Sequence, residues 1–449
     1  MVSKLYYNLK GKLEGKENLK KVLSNISWLF LDKVLRVGLN FVLTVLIARY
    51  LGAQDFGLWN YVIAFVALFS IFSSLGLDSI VVKNLVKEQA KEEVLGAAFI
   101  LKLVGGGLAF VLSLLTILIL RPGEPLTLIL VLITAGGLLF QSFDVIDFYF
   151  QSTLQSKFVV YSRVAAFIIS AIFKIAILIL KGPLVLFVLA NSLELLFTAT
   201  FFILVYKQSN GLVTRWKIKF PVVKKLFLDS YPLALAVMVV LIYMRTDQIM
   251  LGSIISDKAV GIFSAAVRLS EAWYFIPSVI TNSILPSLIK LKEVNQENYL
   301  RKLEQSFKIM AFLGIITAVI ISFSASYIIT FLYGAEYAEA APILAVHTWT
   351  SVFVFLGFAS GNWFVVEGLQ KYVFYRTLAG ALINVGLNFY LIPAYGGLGA
   401  AFATLISQFV ASYFFSLLSR KTYPVFIMQT KALVQVLILR DVFIYFRKR

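Results

Sequence analysis

The chain has no cysteine and a single histidine, His347. The lack of thiols excludes disulfides, thiolate metal sites and cysteine nucleophiles. One imidazole removes most zinc and Ser-His-Asp chemistry. Charge is also scarce: 14% of the 449 residues are charged, against 60% hydrophobic. Such a chain is too apolar for one soluble core and leaves almost nothing for an extramembrane domain. Residues 1–24 carry six lysines but neither an apolar core nor a small-residue cleavage site, so the first apolar stretch is expected to act as an uncleaved anchor.

The abundant feature is the long apolar stretch. Twelve occur, near 25–51, 57–80, 94–120, 126–150, 159–180, 184–206, 226–252, 259–287, 309–333, 342–368, 372–393 and 397–419. About 20 mostly apolar residues cross roughly 30 Å of hydrocarbon, so each is long enough to span a membrane. The fold class is an all-α polytopic membrane protein with about 12 transmembrane helices.

The net charge of +18 is distributed unevenly. Lysines and arginines crowd the first tail, the 207–225 segment and alternate loops, Lys371 and Arg376 between spans ten and eleven among them, while the opposite loops hold only Arg49, Arg121, Lys181 and Lys258. This bias predicts that both termini are cytoplasmic. The basic excess then reads as a topology signal with attraction to membrane lipids, and it argues against a nucleic-acid partner.

The organisation follows from these runs: a basic segment at 1–24, a six-helix lobe at 25–206, a cytoplasmic linker at 207–225, a second six-helix lobe at 226–419 and a helical tail at 420–449. Leu5, Leu9 and Leu13 recur at helical spacing among lysines, which fits either an amphipathic surface helix or a solvated basic tail. Lys431, Gln435, Arg440 and Asp441 interrupt the last apolar run, favouring an interfacial helix over a thirteenth span.

The halves echo each other. Residues 48–65 and 249–266 each end a span with Leu-Gly, turn briefly, and re-enter with a glycine near an aromatic: Gly57 and Phe56, Gly261 and Phe263. Even numbers of spans make the lobes parallel repeats related by a pseudo-two-fold axis along the membrane normal, an arrangement that places a substrate site between halves. Pro232, Pro277 and Pro286 are the expected kink sites.

Charges inside spans are the candidate functional residues. A cation at the bilayer centre costs about 2.5–3.5 kcal/mol on insertion scales, so it should face a partner or water. Lys33 is near enough to the inner surface to snorkel. Arg36, Arg245 and Arg268 are the candidates for binding an anionic substrate, a phosphate or pyrophosphate group above all. Local pairing offers a bland alternative: Arg36 with Asp32, Arg268 with Glu271, and Arg245 with Asp247, although positions two apart do not face each other on a regular helix. Glu194 is either a proton or sodium site or a partner for Lys174, and Asp247 and Glu271 have the same two readings. Lys102 is a further intraspan cation, Asp144 and Asp147 are expected to reach inner-surface water, and His347 is expected to be a wet interfacial residue.

Three segments carry a family resemblance: DQIMLGSIISDKAVGIFSAAVRLSE at 247–271, FLYGAEYAEAAPIL at 331–344 and NVGLNFYLIPAYGGLGAAFATLIS at 384–407. In this order, with the turn at 51–57, they resemble polysaccharide flippases of the multidrug/oligosaccharidyl-lipid/polysaccharide exporter superfamily, in its O-antigen or teichoic-acid branch. The resemblance covers the chain to about residue 420. It implies two six-helix lobes in a V shape, alternating access, and outward movement of a lipid-linked oligosaccharide for surface polysaccharide synthesis at the cytoplasmic membrane. No catalysis and no cofactor are implied; proton or sodium coupling and polymerase or glycosyltransferase partners are compatible with it. Asp247 matches the acidic residue opening the span-seven signature, and Asn384, Asn388 and Pro393 match a span-eleven motif that looks structural. The rivals are a multidrug antiporter of the same superfamily, which expects an acidic aromatic cavity, a membrane polymerase, which expects a large outer loop, and a non-transporting scaffold.

Overall fold

The computed structural model describes the backbone of residues 2–87 and 90–438, with side chains for Arg36 and from Gly38 onward in that range. The pattern of Leu5, Leu9 and Leu13, the side chains of Asp32 and Lys33, and Arg440 and Asp441 of the tail lie outside the described residues.

The helices are α1 (Val2–Ser74), α2 (Leu77–Lys87), α3 (Lys91–Leu120), α4 (Pro125–Gly137), α5 (Val145–Ser152), α6 (Lys157–Ile179), α7 (Leu184–Gln208) and α8 (Phe220–Ile254). They continue with α9 (Asp257–Glu271), α10 (Phe275–Val294), α11 (Gln296–Tyr333), α12 (Ala340–His347), α13 (Thr350–Val366), α14 (Lys371–Ser412) and α15 (Tyr423–Leu437). Among the described residues ten continuous helical stretches are long and apolar enough to cross a membrane. Two of them, Gly38–Lys87 and Lys371–Leu417, are each about twice the length a single crossing requires.

Both double-length stretches break where the sequence places a turn. Gly52 has φ 71° and ψ 174° inside α1, and Gly396 has φ 55° and ψ −133° inside α14. These are left-handed or mirror-extended conformations that a Cβ would oppose. Each stretch therefore supplies two of the twelve crossings. The prolines behave differently. Helix α8 runs through Pro232 without a non-helical residue, and Pro277 follows a 3₁₀ turn at Ala272–Tyr274 that separates α9 from α10. That turn falls where a proline at 277 would deprive residue 273 of its helical donor.

The chain divides into two compact units: unit 1 comprises Met1–Tyr50 and Phe65–Met238, and unit 2 comprises Leu51–Ala64 and Val239–Arg449. In unit 1 the core gathers Leu95, Val145, Phe150, Val159 and Phe202 from α3, α5, α6 and α7. The segment between α7 and α8 is packed down rather than loose. Lys217 N–H donates to the Glu92 carbonyl at 3.2 Å, and Lys219 meets Glu93 at 2.5 Å.

In unit 2 the core joins Leu303, Phe307, Phe355, Phe364 and Val425. Helix α15 belongs to that core through Val425, Met428 and Ala432, with Gln429 donating to the Ser412 carbonyl at 2.9 Å. Its 15 residues rise about 22 Å, short of the hydrocarbon thickness. The repeat glycines also meet inside unit 2. A Cβ on Gly57 would collide with the Asp257 carbonyl, and one on Gly261 would collide with the Ala53 carbonyl. The backbones therefore cross in contact, a packing that only small residues allow. Beside the crossing, Glu336 accepts from the Ala53 N–H at 2.7 Å, just beyond the Gly52 turn.

Candidate functional site

Unit 2 encloses a cavity of about 300 Å³ built by helical periodicity. Phe263, Val267 and Glu271 recur every four residues on one face of α9, and Thr404, Gln408 and Ser412 do the same on the second arm of α14. Helix α8 adds Arg245 and Asp247, α12 adds His347, and the first arm of α14 adds Arg376. Apolar packing thus carries the polar groups to one internal space.

Asp247 is 6% exposed and held by neutral donors. Asn388 Nδ2 donates to Oδ1 at 2.6 Å, and the Thr404 hydroxyl donates to Oδ2. Asn388 Nδ2 also reaches Asn384 Oδ1 at 3.2 Å, and the Thr404 hydroxyl lies 3.0 Å from the Ala400 carbonyl. Asn388 Oδ1 is buried without a hydrogen-bond partner. A carboxylate, two amide oxygens, a hydroxyl and a carbonyl in one buried cluster is the donor set that a hard cation prefers. A proton on Asp247 would relieve the same buried negative charge.

The three arginines singled out by sequence lie in different settings. Arg245 borders the cavity, and its Nε is buried without a hydrogen-bond partner. Arg268 Nη2 donates to Asn60 Oδ1 at 3.2 Å and its guanidinium stands 6.0 Å from the Phe56 ring centroid. Arg36 is half-buried and belongs to unit 1. Glu271 borders the cavity within electrostatic reach of Arg245 and Arg268. Lys174 and Glu194, in unit 1, form an ion pair at 3.3 Å.

Three sequence expectations need correction. Asp147 does not reach inner-surface water: it is 3% exposed, bound to Arg163 at 2.6 Å and to Gln151 Nε2 at 2.9 Å. His347 is not a wet interfacial residue. It is 2% exposed, with Nδ1 3.0 Å from the Ser270 hydroxyl and Phe263 edge-on to its ring. Arg376 counted as a loop cation, yet it is buried on the cavity wall. Its position five residues into α14 hid it, because cations at span ends normally snorkel to water.

Membrane-spanning helices enclosing a charged internal cavity define a membrane transporter architecture. The chain belongs to the family described as polysaccharide biosynthesis protein, whose sequence model matches residues 22–291. A second model, described as lipid II flippase MurJ, matches residues 249–446. Among curated relatives, the capsular polysaccharide biosynthesis protein CapF of Staphylococcus aureus is 23% identical over 88% of this chain and 98% of its own length. Two solved structures share the fold. The lipid II flippase MurJ in an inward closed conformation has a TM-score of 0.68 at 18% identity, covering 94% of this chain and 93% of that one. An inward-facing multidrug resistance MATE family transporter of the MOP superfamily has a TM-score of 0.69 at 16% identity, covering 89% and 95%.

Proposed function

We propose that this protein flips a lipid-linked oligosaccharide, a glycan on a polyprenyl phosphate or pyrophosphate, across the cytoplasmic membrane for surface polysaccharide synthesis. The observation carrying the reading is that the polysaccharide biosynthesis and lipid II flippase models together run from residue 22 to residue 446. The process is transport, with no covalent step. Arg36, Arg245 and Arg268 meet the phosphate end and the first sugars, while the prenyl tail stays in lipid. The orphaned Nε of Arg245 supports this for one of the three. Two six-helix lobes rock between inward-open and outward-open states, as the repeat pattern suggests.

An inside-negative potential favours outward movement of an anion by about 2.3 kcal/mol per charge per 100 mV. The Asp247 cluster supplies a place for the coupling ion, a proton or sodium, and its oxygen-rich donor set supports that assignment. Both termini lie in the cytoplasm, on the strength of the lysine and arginine bias. The glycan is of capsular or O-antigen type, delivered by glycosyltransferases and passed to a polymerase.

Reconstitution tests the reading. Proteoliposomes containing the purified chain should move a fluorescent lipid-linked sugar between leaflets, and Arg36→Ala with Arg268→Ala should abolish that movement. Drug efflux without flipping would instead favour the multidrug antiporter. Unchanged flipping by the folded double mutant would remove those two arginines from the account.

A further inference from the structure

Arg376 is a buried cation whose partners are all neutral. It is 8% exposed and donates to the Ser360 hydroxyl at 2.6 Å and the Gly357 carbonyl at 3.2 Å. Its guanidinium stands 5.1 Å from the Phe364 ring centroid. Two hydrogen bonds leave three of five guanidinium donors uncommitted. Gly357 and Ser360 lie nine and six residues before the end of α13, so the charge sits about 9–14 Å from that helix end. A cation that deep in a membrane segment is unfavourable unless it has partners or faces a wet cavity, and such a residue marks a candidate functional site.

The same cavity carries the orphaned Nε of Arg245, and Tyr243, Thr377 and Gln408 offer neutral hydrogen-bonding groups. The carboxylates on its wall, Asp247 and Glu271, form no ion pair with Arg376 among the described residues, and Asp247 accepts instead from Asn388 and Thr404. At about 300 Å³ the space is at the small end of ligand pockets, suited to one charged group with its immediate neighbours. The Ser360 and Gly357 bonds fix the guanidinium from behind and pre-orient its remaining fork, the geometry that binds carboxylate and phosphate bidentately.

We infer that this cavity within unit 2 is an oxyanion site centred on Arg376, taking a carboxylate or phosphate group of the transported molecule. The inference rests on the flippase reading and adds a second anion contact to it. The two sources of the oxyanion are an acidic sugar of the glycan and the phosphate of the carrier.

The experiment compares two lipid-linked disaccharides on the same prenyl pyrophosphate, one neutral and one ending in glucuronate, in proteoliposomes of wild-type and Arg376→Gln protein. Loss of one charge-assisted contact should slow flipping roughly tenfold or more. Slowing of the glucuronate substrate alone assigns the site to the glycan carboxylate, and equal slowing of both assigns it to the carrier phosphate. A folded variant that flips both at the wild-type rate overturns the inference and leaves the flippase reading standing. Wild-type protein that flips neither overturns that reading and the inference with it.

If Arg376→Gln does not fold, Thr377→Cys in this cysteine-free chain supplies the second measurement. A thiol reagent should label it, and glucuronate or pyrophosphate should slow the labelling at least threefold. Labelling indifferent to both anions overturns the site.

Discussion

The two units treat charge inside the membrane in opposite ways. In unit 1, Lys102 lies 3.6 Å from Asp144, Arg163 2.6 Å from Asp147 and Lys174 3.3 Å from Glu194. In unit 2, Asp247 is held by an amide and a hydroxyl, Arg376 by a hydroxyl, a carbonyl and a ring, and Arg245 Nε has no partner. Among the described residues, unit 2 also pairs Lys292 with Glu367 at 2.6 Å, at helix ends. Paired charges neutralise one another and hold helices in register. Charges matched only by neutral groups keep their fields available to a ligand. The ion-paired charges of unit 1 are accordingly read as scaffold, and unit 2 as carrying the cavity that engages ions and substrate, with Arg36 the unit 1 residue proposed to reach the substrate.

Asp147→Ala presses hardest on this contrast. It strips Arg163 and Gln151 of their acceptor, and because Arg163 is 29% exposed the loss is that of charged hydrogen bonds, about 1.5–3 kcal/mol. Thermal unfolding should show that loss, while flipping per folded molecule stays near wild type. A stable variant with impaired flipping would give the paired charges of unit 1 a transport role and erase the distinction. Gly57→Ala comes next, at about 1–3 kcal/mol, because its Cβ meets the Asp257 carbonyl backbone. Gly107→Ala in unit 1, with open space around it, should leave the melting temperature unchanged or slightly raised.

Asp247→Asn inverts the first prediction: stability shifts by about 1 kcal/mol, since hydrogen bonding by Asn388 and Thr404 can be largely preserved. Flipping should fall about tenfold or more, with loss of any sodium or proton dependence in the proteoliposome assay. Unaltered ion dependence would dismiss Asp247 as the coupling site. Another small effect belongs to Lys174→Met combined with Glu194→Leu. Replacing both members of an ion pair by apolar side chains is often near neutral, so unfolding should shift by less than about 1 kcal/mol and transport should persist.

Much of the helix layout can be read without coordinates. The stretch expected at 184–206 is α7 at Leu184–Gln208, and the one at 159–180 is α6 at Lys157–Ile179. The turns expected after residues 51 and 393 fall at Gly52 and Gly396. The site was legible only in pieces. Asp247 stood out as an acid in an apolar run, but its partners Asn388 and Thr404 lie 141 and 157 residues away. His347 and Asp147 looked solvent-near by their distance from span ends, yet neighbouring helices cover both.

The sequence by itself determined where the long apolar stretches lie along the chain, because hydrocarbon thickness imposes a length that apolar residues must fill in one dimension. Which charges are neutralised and which are left facing a cavity was decided only by the tertiary structure. Pairing depends on which helix faces stand side by side, and a carboxylate a few ångströms from an ammonium in unit 1 has the same one-dimensional signature as Asp247 or Arg376 in unit 2.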